Sequence, residues 1–585
     1  MLDDVTDYRV SSNAVLNEAR PSSVATALAT EAADPGSPLG RILRDSYAKI
    51  VNVERFGAVS VGLTETPTPA HYAANDAAFA DAFQAAVTAK GTLYIPPGFW
   101  PVNKVVWDAS GTVDVKIAGD YATILVNPAL VDGTTVAGDA AVFLGNSHAQ
   151  FGASPQFLRR VCIEGLNIAS NKDPLAGTKI NRRGIVLKGV QELEARDVWV
   201  SGFVYEGATF DTVWDSSVYG LRVMWCGNSS STAAGFAENR YGVNITSTLT
   251  NGTHYDNSNA LRLYGLHVEF APLMLKLDKH ARHIHFTDMK LEQGSGTTNW
   301  SEWSPIQFDD VWEVDFKGGM VVTNTVDVIA GQQPPHVVGS TDALTMNNLN
   351  SSEKKNVVFS AVHFTTPAEG AAIWFNGSFV TFRDCDFGKT YSTAIKSAFE
   401  LGNAAKILGG SVTFSKTIEA NVNASPRQDF IRFNGAGNIV EDVTLYCADA
   451  SVPGVLVKVG VAALKNSLRM IGSQWGAPPT LWAHDGGATT LESNRCEVIP
   501  EPGVERAVGP GVPDVFGLYS VILNPGIYTD FVGSYIGQRV LLRASGNDVT
   551  LQNNAGFITG TGADLSLSLG QAVTVQRIPG AWVVA

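Results

Sequence analysis

The chain has 585 residues, of which 45% are hydrophobic and 17% charged, and its formal net charge is −14. This acidic balance predicts no nucleic-acid binding, which needs a basic surface, and no attraction to anionic lipid. No stretch is apolar enough to predict membrane insertion. The five cysteines are scattered, which predicts buried free thiols, and we expect no metal site and no cofactor because the corresponding motifs are absent.

Residues 1–50 are mixed in composition and partly rich in alanine, which predicts an attachment segment without a core of its own. Residues 51–105 are expected to form the start of the main domain. They carry an apolar helical face made of Phe79, Ala82, Phe83 and Ala86. We therefore predict a short capping helix with Asp76 as its N-cap, followed by a strand over 91–102.

Residues 106–505 contain a repeat. The segments 260–270 and 283–293 are offset by about 23 residues, and their apolar positions coincide. The same interval separates two further pairs of segments, 193–200 from 216–223 and 357–364 from 380–387. Each unit has the pattern of two short strands joined by a two-residue bend, and stacked units bury a continuous core. The interval predicts an all-β fold, a single-stranded parallel β-helix with about 23 residues per coil.

The repeat pattern ends at a cluster of proline and glycine over 500–513. Residues 506–585 then show short alternating strands separated by turn sequences such as Asn-Pro-Gly. This pattern predicts a C-terminal β-sandwich.

Outward residues of the repeat at 260 and 283 form two predicted columns. His267 should lie above Lys290, and Glu269 above Glu292, at the strand spacing of about 4.8 Å. Stacked carboxylates repel, so one tends to keep its proton, as an acid and base pair requires. Glycoside hydrolysis uses two such groups, at about 5 to 5.5 Å or about 6.5 to 9.5 Å depending on stereochemistry. The alternative is an inert hydrated face.

The loop that leaves the second of these units carries Trp300, Glu302 and Trp303 among small polar residues. Flat indoles beside carboxylates suit stacking on a sugar ring, so we predict a substrate-binding role for all three side chains. The alternative is that the two tryptophans pack on the β-helix or on a neighbouring subunit.

A lyase would instead need a base beside a cation, and His267 with Lys290 and Arg262 could supply that set. Tyr255 belongs to a polar interruption of the repeat, 227–259, that could bond sugar hydroxyls. The same residue types are also ordinary turn formers.

Two other acidic pairs are candidates for the same chemistry. Asp211 and Asp215 are the second choice for the acid pair. Asp309 and Asp310 are adjacent, so on a strand they face opposite sides and only one could serve.

The segments Phe56-Gly57-Ala58, 75–79 and 92–98 resemble the start of the pectate-lyase-like right-handed β-helix proteins, in which a short helix caps the open end. Farther along, the chain is similar to the subgroup found in bacteriophage tailspikes and capsule depolymerases. The stretches that carry this similarity are 214–217, 225–227, 257–259 and 266–270.

This resemblance implies a bacteriophage or prophage tailspike that binds and depolymerises a bacterial surface polysaccharide, as a glycoside hydrolase or a polysaccharide lyase. It further implies a homotrimer, attached to the phage tail through its N-terminus and located on the virion. For the C-terminal β-sandwich it implies a role in trimerisation or carbohydrate binding. The polar start of the chain does not resemble a secretory signal, which favours release by lysis. The alternatives are a catalytically inert receptor-binding spike and a bacterial polysaccharide-modifying enzyme.

Overall fold

A computed structural model gives the structure of the chain in segments. The residues it describes are 49–128, 139–152, 156–173, 176–177, 179–228, 240–294, 304–323, 336–341, 356–365, 373–390, 397–414, 429–447, 455–460, 465–473, 480–484, 495–500, 505–512, 520–531, 539–578 and 581–584. The expected attachment segment, 1–50, lies almost wholly outside them, and so do Trp300, Glu302 and Trp303.

The predicted helix is present at Pro69–Ala89, behind a single 3-10 turn at Val53–Phe56. Its predicted N-cap is wrong, because the side chain of Thr68 caps it about two turns earlier, with Pro69 in the first turn. Asp76 instead accepts hydrogen bonds from the backbone N–H groups of Asn103 and Lys104. The predicted apolar face is buried and consists of Phe79, Ala82, Phe83 and Ala86. The helix thus closes the first coils.

Among the described residues, thirty-three strands form one network of parallel pairs. In chain order they are Ile50–Asn52, Thr92–Tyr94, Phe99–Val102, Val105–Asp108, Gly111–Val126, Ala140–Gly145, Leu158–Ala169, Arg183–Arg196, Trp199–Phe203, Ala208–Tyr219, Arg222–Cys226, Val243–Thr246, Asn259–Tyr264, His267–Ala271, Leu275–Asp278, Arg282–Gln293, Ile306–Asp309, Trp312–Val322, His336–Thr341, Val357–Ser360, His363–Thr365, Ile373–Gly377, Val380–Arg383, Asp386–Thr390, Ser397–Leu401, Lys406–Leu408, Ser411–Phe414, Asp429–Phe433, Ile439–Cys447, Val455–Val459, Ser467–Ser473, Thr480–His484 and Arg495–Pro500.

Each coil contributes one strand to each of three parallel sheets. In one coil these strands are Asn259–Tyr264, His267–Ala271 and Leu275–Asp278, and we call the sheets that contain them the first, second and third sheets. The chain is therefore a parallel β-helix, which confirms the predicted fold class. The sequence repeat indicated only the first two strands, because loops of variable length separate the second strand from the third.

The strand register confirms the interval of the repeat. Leu261 pairs with Ile284, and Glu269 pairs with Glu292, so each residue stands opposite its counterpart in the next repeat. The two-residue bend between the first and second strands contains a left-handed residue in both coils, with φ of 62° at Gly265 and 52° at Asp288. The bend is short and regular, so outward side chains of the first two sheets align from coil to coil.

The core is a continuous column of apolar side chains inside the three sheets. Phenylalanine rings stack along it, with ring centroids 4.4 Å apart for Phe286 and Phe316 and 4.3 Å apart for Phe316 and Phe359. A single coil has no partner for such a ring, so the stacked coils stabilise one another.

The cysteine prediction is partly right. Cys226 and Cys385 are free and buried, and burial raises the pKa of each thiol to about 12. Cys162 is free but only half-buried, because it lies at an outward position of the first sheet beside Lys116 and Glu194.

After the β-helix, two smaller sheets enclose a second core that includes Tyr528, Phe531 and Trp582. One sheet contains Glu505–Val508, Ser520–Leu523, Arg539–Ala544, Ala572–Ile578, Ala581–Val584 and Phe557–Ile558. The other contains Gly526–Tyr528, Val549–Leu551 and Leu565–Leu567. Parallel and antiparallel pairs occur in both, whereas alternating strands joined by short turns would pair antiparallel throughout. The domain boundaries at 50, 105 and 505 stay predictions.

None of the helices in the described part of the chain combines the length and apolar character that a membrane span requires.

Candidate functional site

The predicted columns are present on the outer face of the second sheet. Arg222, His267 and Lys290 stand opposite one another on successive coils, and Glu269 stands opposite Glu292. We call Glu269 and Glu292 the second-sheet carboxylates. Adjacent strands fix their spacing at about 4.8 Å along the β-helix. The structure therefore brings together the four residues that the repeat selected.

Each second-sheet carboxylate lies beside a basic side chain of its own strand, and the pair of Glu292 with Lys290 is an ion pair. Glu269 Oε2 lies 3.1 Å from His267 Nε2, and Glu292 Oε2 lies 2.7 Å from Lys290 Nζ. Residues two apart on a strand share a face, so these contacts follow from the alternation of the sequence. The charge of Lys290 offsets part of the repulsion that we expected between the stacked glutamates.

Burial lowers the pKa of His267, and the positive charges of Lys290 and Arg222 lower it further, against the opposing effect of Glu269. The imidazole is therefore neutral at neutral pH and can accept a proton. The side chains of Glu269 and Glu292 are 19% and 26% exposed, which leaves them accessible to a ligand.

An aromatic pair flanks the second-sheet carboxylates. Phe270 follows Glu269, and its ring stacks on that of Trp225 with centroids 4.2 Å apart and an interplanar angle of 11°. Both side chains are partly exposed. A flat aromatic surface beside a carboxylate suits a sugar ring. Sequence reasoning missed this pair because an interruption of the repeat separates the two residues.

The second-choice pair, Asp211 and Asp215, is not brought together. Asp211 is buried, and its carboxylate accepts hydrogen bonds from the backbone of Thr248 and the hydroxyl of Thr212. Asp215 is exposed and accepts one from Gln191. Thr212, with φ of 59°, turns the chain between them, so the two carboxylates belong to different sheets. No hydrogen bond or ion pair joins them in the described segments.

Two predicted substrate-binding residues lie away from the second-sheet carboxylates. Arg262 is exposed on the first sheet, where it stands opposite His285. The bend at Gly265 separates it from His267, so the predicted lyase set does not share one face. The ring of Tyr255 is half-buried under the ammonium group of Lys279, 4.6 Å from its centroid.

A further group of charged side chains lies on the outer face of the third sheet. Lys276 Nζ is 3.2 Å from Asp278 Oδ2 and 3.4 Å from Asp309 Oδ2. Asp278 and Asp309 stand opposite each other on adjacent coils, and Gln307 donates to Asp309 Oδ1 at 2.7 Å. We call Lys276, Asp278 and Asp309 the third-sheet cluster. Since both carboxylates contact one ammonium group, a single sugar residue could contact both of them.

Two residues outside the strands border the third-sheet cluster. The buried hydroxyl of Tyr241 donates to the carbonyl oxygen of Ser304 at 3.1 Å. Burial raises the pKa of Tyr241 well above its ordinary value, and the charges of Asp309 and Asp278 raise it further. Burial opposes the charge of Lys276, but Asp278 and Asp309 outweigh that effect and raise the pKa of Lys276. Tyr241 therefore stays protonated and Lys276 stays charged at neutral pH.

Sequence reasoning found only one of the three residues of the third-sheet cluster, Asp309. It predicted that only one of Asp309 and Asp310 could act as an acid or base, because the two face opposite sides of the strand. Asp310 points away from the cluster, and its Oδ2 lies 3.3 Å from Nε2 of the buried His280. Asp278 escaped notice because Asp309 follows it at a longer interval than that of the repeat. A signal exists in the third strands, whose alternation ends in a polar residue each time. Those strands read Ala-Thr-Phe-Asp, Val-Asn-Ile-Thr, Leu-Lys-Leu-Asp and Ile-Gln-Phe-Asp over 208–211, 243–246, 275–278 and 306–309.

The three neighbouring histidines do not converge. Each contacts a different acidic side chain one coil later, in the pairs His280 with Asp310, His283 with Glu313 and His285 with Asp315. Among the residues that the structure describes, no group of three or more His, Cys, Asp or Glu side chains is placed to hold a metal ion.

Comparison with known proteins gives a curated relative and several solved structures of low similarity. No family model matches the chain. The protein named Depolymerase 1, capsule KN3-specific, of Klebsiella phage KN3-1 is 24% identical over 404 residues, which cover 68% of this chain and 47% of that protein. The chain thus spans about half the length of the curated relative it matches.

Among solved structures, the tailspike of Pseudomonas phage phi297 is 14% identical, with a TM-score of 0.41 over 77% of this chain and 84% of that one. The DFA-IIIase of Arthrobacter chlorophenolicus without its lid is 12% identical, with the same TM-score over 78% and 100%. At these scores the solved structures carry no argument about the function of this chain.

Proposed function

We propose that the protein is a bacteriophage or prophage tailspike that binds and depolymerises a bacterial surface polysaccharide. The observation that carries this proposal is the similarity to a phage protein named as a capsule-specific depolymerase, over 68% of the chain. The β-helix adds chemical support, because it presents stacked carboxylates beside Lys290 and a partly exposed aromatic pair.

Glu269 and Glu292 are the proposed acid and base, or acid and nucleophile. Cleavage by hydrolysis needs one carboxyl group to give a proton to the bridging oxygen as the glycosidic bond breaks. The second carboxylate activates water or attacks the sugar carbon. The neutral imidazole of His267, 3.1 Å from Glu269, can take up or relay a proton at that position.

The test is incubation of the purified protein with a panel of purified capsular polysaccharides, the Klebsiella KN3 capsule included. New reducing ends without ultraviolet absorbance would indicate a hydrolase, and absorbance of an unsaturated uronide would indicate a lyase. Binding without any cleavage would overturn the enzymatic role and favour a receptor-binding spike, the other class of function for such a fold.

A homotrimer attached to the phage tail is part of the same proposal. A solenoid whose outer columns are mostly polar can associate laterally through its side faces and its C-terminal sheets. Light scattering should give a mass near three times 62.2 kDa. A monomer at micromolar concentration would argue against the tailspike role.

A further inference from the structure

The third sheet carries two acceptor atoms that no donor of the described residues satisfies. Oδ1 of Asp278 and Oδ1 of Asn244 are both shielded from solvent, and neither has a hydrogen-bond partner in the segments that the structure describes. Asn244 stands opposite Lys276, one coil before it. An unsatisfied acceptor bears the desolvation cost of its burial, so two of them on neighbouring coils are suited to accept hydrogen bonds from a ligand.

These acceptors belong to a cluster that is shielded but not sealed. The side chains of Lys276, Asp278 and Asp309 are 20%, 13% and 14% exposed. Shielding strengthens polar contacts because it lowers the local dielectric constant. The remaining exposure lets a ligand reach the side chains. A ligand that reaches the cluster would therefore be held more firmly than on an open face.

The cluster is held in place by close packing around it. A Cβ atom at Gly339 would lie 2.4 Å from Ser304 Oγ and 2.5 Å from Gln307 Oε1, so a larger residue there would displace both side chains. The backbone of Gly339 therefore packs closely against Gln307, whose amide donates to Asp309. The hydrogen bond from Tyr241 fixes Ser304, which precedes the strand that carries Gln307 and Asp309.

We propose that the third-sheet cluster, with Asn244, is a glycan subsite distinct from the second-sheet carboxylates. Sugar hydroxyls donate to Oδ1 of Asp278 and of Asn244. Asn244 and Asp278 are diagonal neighbours on adjacent coils, roughly 7 to 8 Å apart, which hydroxyls along a sugar chain can span. A metal ion fits poorly, because the ammonium group already lies between the two carboxylates. This inference rests on the proposed depolymerase function.

The test uses two substitutions and isothermal titration calorimetry with purified Klebsiella capsular polysaccharides, the KN3 capsule included. Asn244→Leu removes a free acceptor while breaking no hydrogen bond that the structure shows, so folding should be unaffected. It should weaken glycan affinity roughly 3- to 10-fold. Asp278→Asn removes a charged acceptor and should weaken affinity roughly 10- to 100-fold.

Asp315→Asn is the matched control, because Asp315 also contacts a basic side chain of an adjacent coil but lies on the first sheet, away from the cluster. Its affinity should equal that of the wild type. If the wild type cleaves a polysaccharide and Asn244→Leu, with an unchanged melting temperature, binds it equally well, the subsite is disproved while the depolymerase function stands. If the wild type neither binds nor cleaves any of the polysaccharides, both the subsite and the depolymerase function are disproved.

Discussion

The second-sheet carboxylates and the third-sheet cluster contain the same chemical groups in different surroundings. Both place two carboxylates on adjacent coils beside a lysine. On the second sheet each carboxylate has its own basic partner within its strand, whereas on the third sheet one ammonium group serves both. Lys290 is 38% exposed and Lys276 only 20%. The fold thus gives the second-sheet carboxylates separate partners and more contact with water. It gives the carboxylates of the third-sheet cluster one shared ammonium group and shields them from solvent.

The largest expected effect concerns turnover at the second-sheet carboxylates. Glu269→Gln and Glu292→Gln keep the shape of the side chain but abolish proton transfer and nucleophilic attack. Each should lower the rate of polysaccharide cleavage about 100-fold or more, as measured by reducing ends, while glycan affinity persists. Full cleavage activity in both variants would remove this pair from the active site and direct attention to Asp278 and Asp309.

A second contrast concerns the two lysines. Lys276→Met leaves Asp278 and Asp309 shielded without their shared cation, so the free energy of unfolding should fall by about 3 kcal/mol. Lys290→Met frees a carboxylate that is more exposed, and the change should stay below about 1 kcal/mol. Urea denaturation of the two variants beside the wild type measures both. Equal losses would show that the difference in shielding has no energetic consequence.

The smallest expected effect is the pH dependence of His267. Its folded pKa is lowered, so the unfolded chain binds this proton more readily than the folded chain between the lowered value and the ordinary value of 6.5. The resulting penalty is fully present at acidic pH and disappears as pH rises through that window. His267→Gln should therefore lose less stability than the wild type between pH 8 and pH 5. Melting temperatures at the two values test this, and parallel curves would contradict it.

The sequence predicted the second-sheet carboxylates well because the bend within each coil is short. The bends at Gly265 and Asp288 take two residues each, so positions one repeat apart fall in register, and the order of residues is enough to pair Glu269 with Glu292. The capping helix followed from the helical spacing of Phe79 and Phe83. Its N-cap did not, since the local pattern around Asp76 resembles a cap equally well.

The third-sheet cluster could not be found in that way. A loop of variable length precedes each third strand, so the interval from Asp278 to Asp309 departs from that of the repeat and no fixed period shows it. The buried role of Asp211 likewise depends on Thr248, which a different segment brings to it. In both cases the decisive neighbour comes from a segment whose length the repeat does not constrain.

By itself, the sequence determined the architecture, because a period of about 23 residues with alternating apolar positions can bury its core only by stacking coils. It also determined which side chains align on the second sheet, since strand geometry fixes their spacing. Tertiary structure decided which charges are shielded, which share a partner and which acceptors lack one. Those properties depend on segments that reach the third sheet from distant positions in the chain. The physical reason is that three-dimensional packing, and not local periodicity, decides which side chains are buried and which groups they contact.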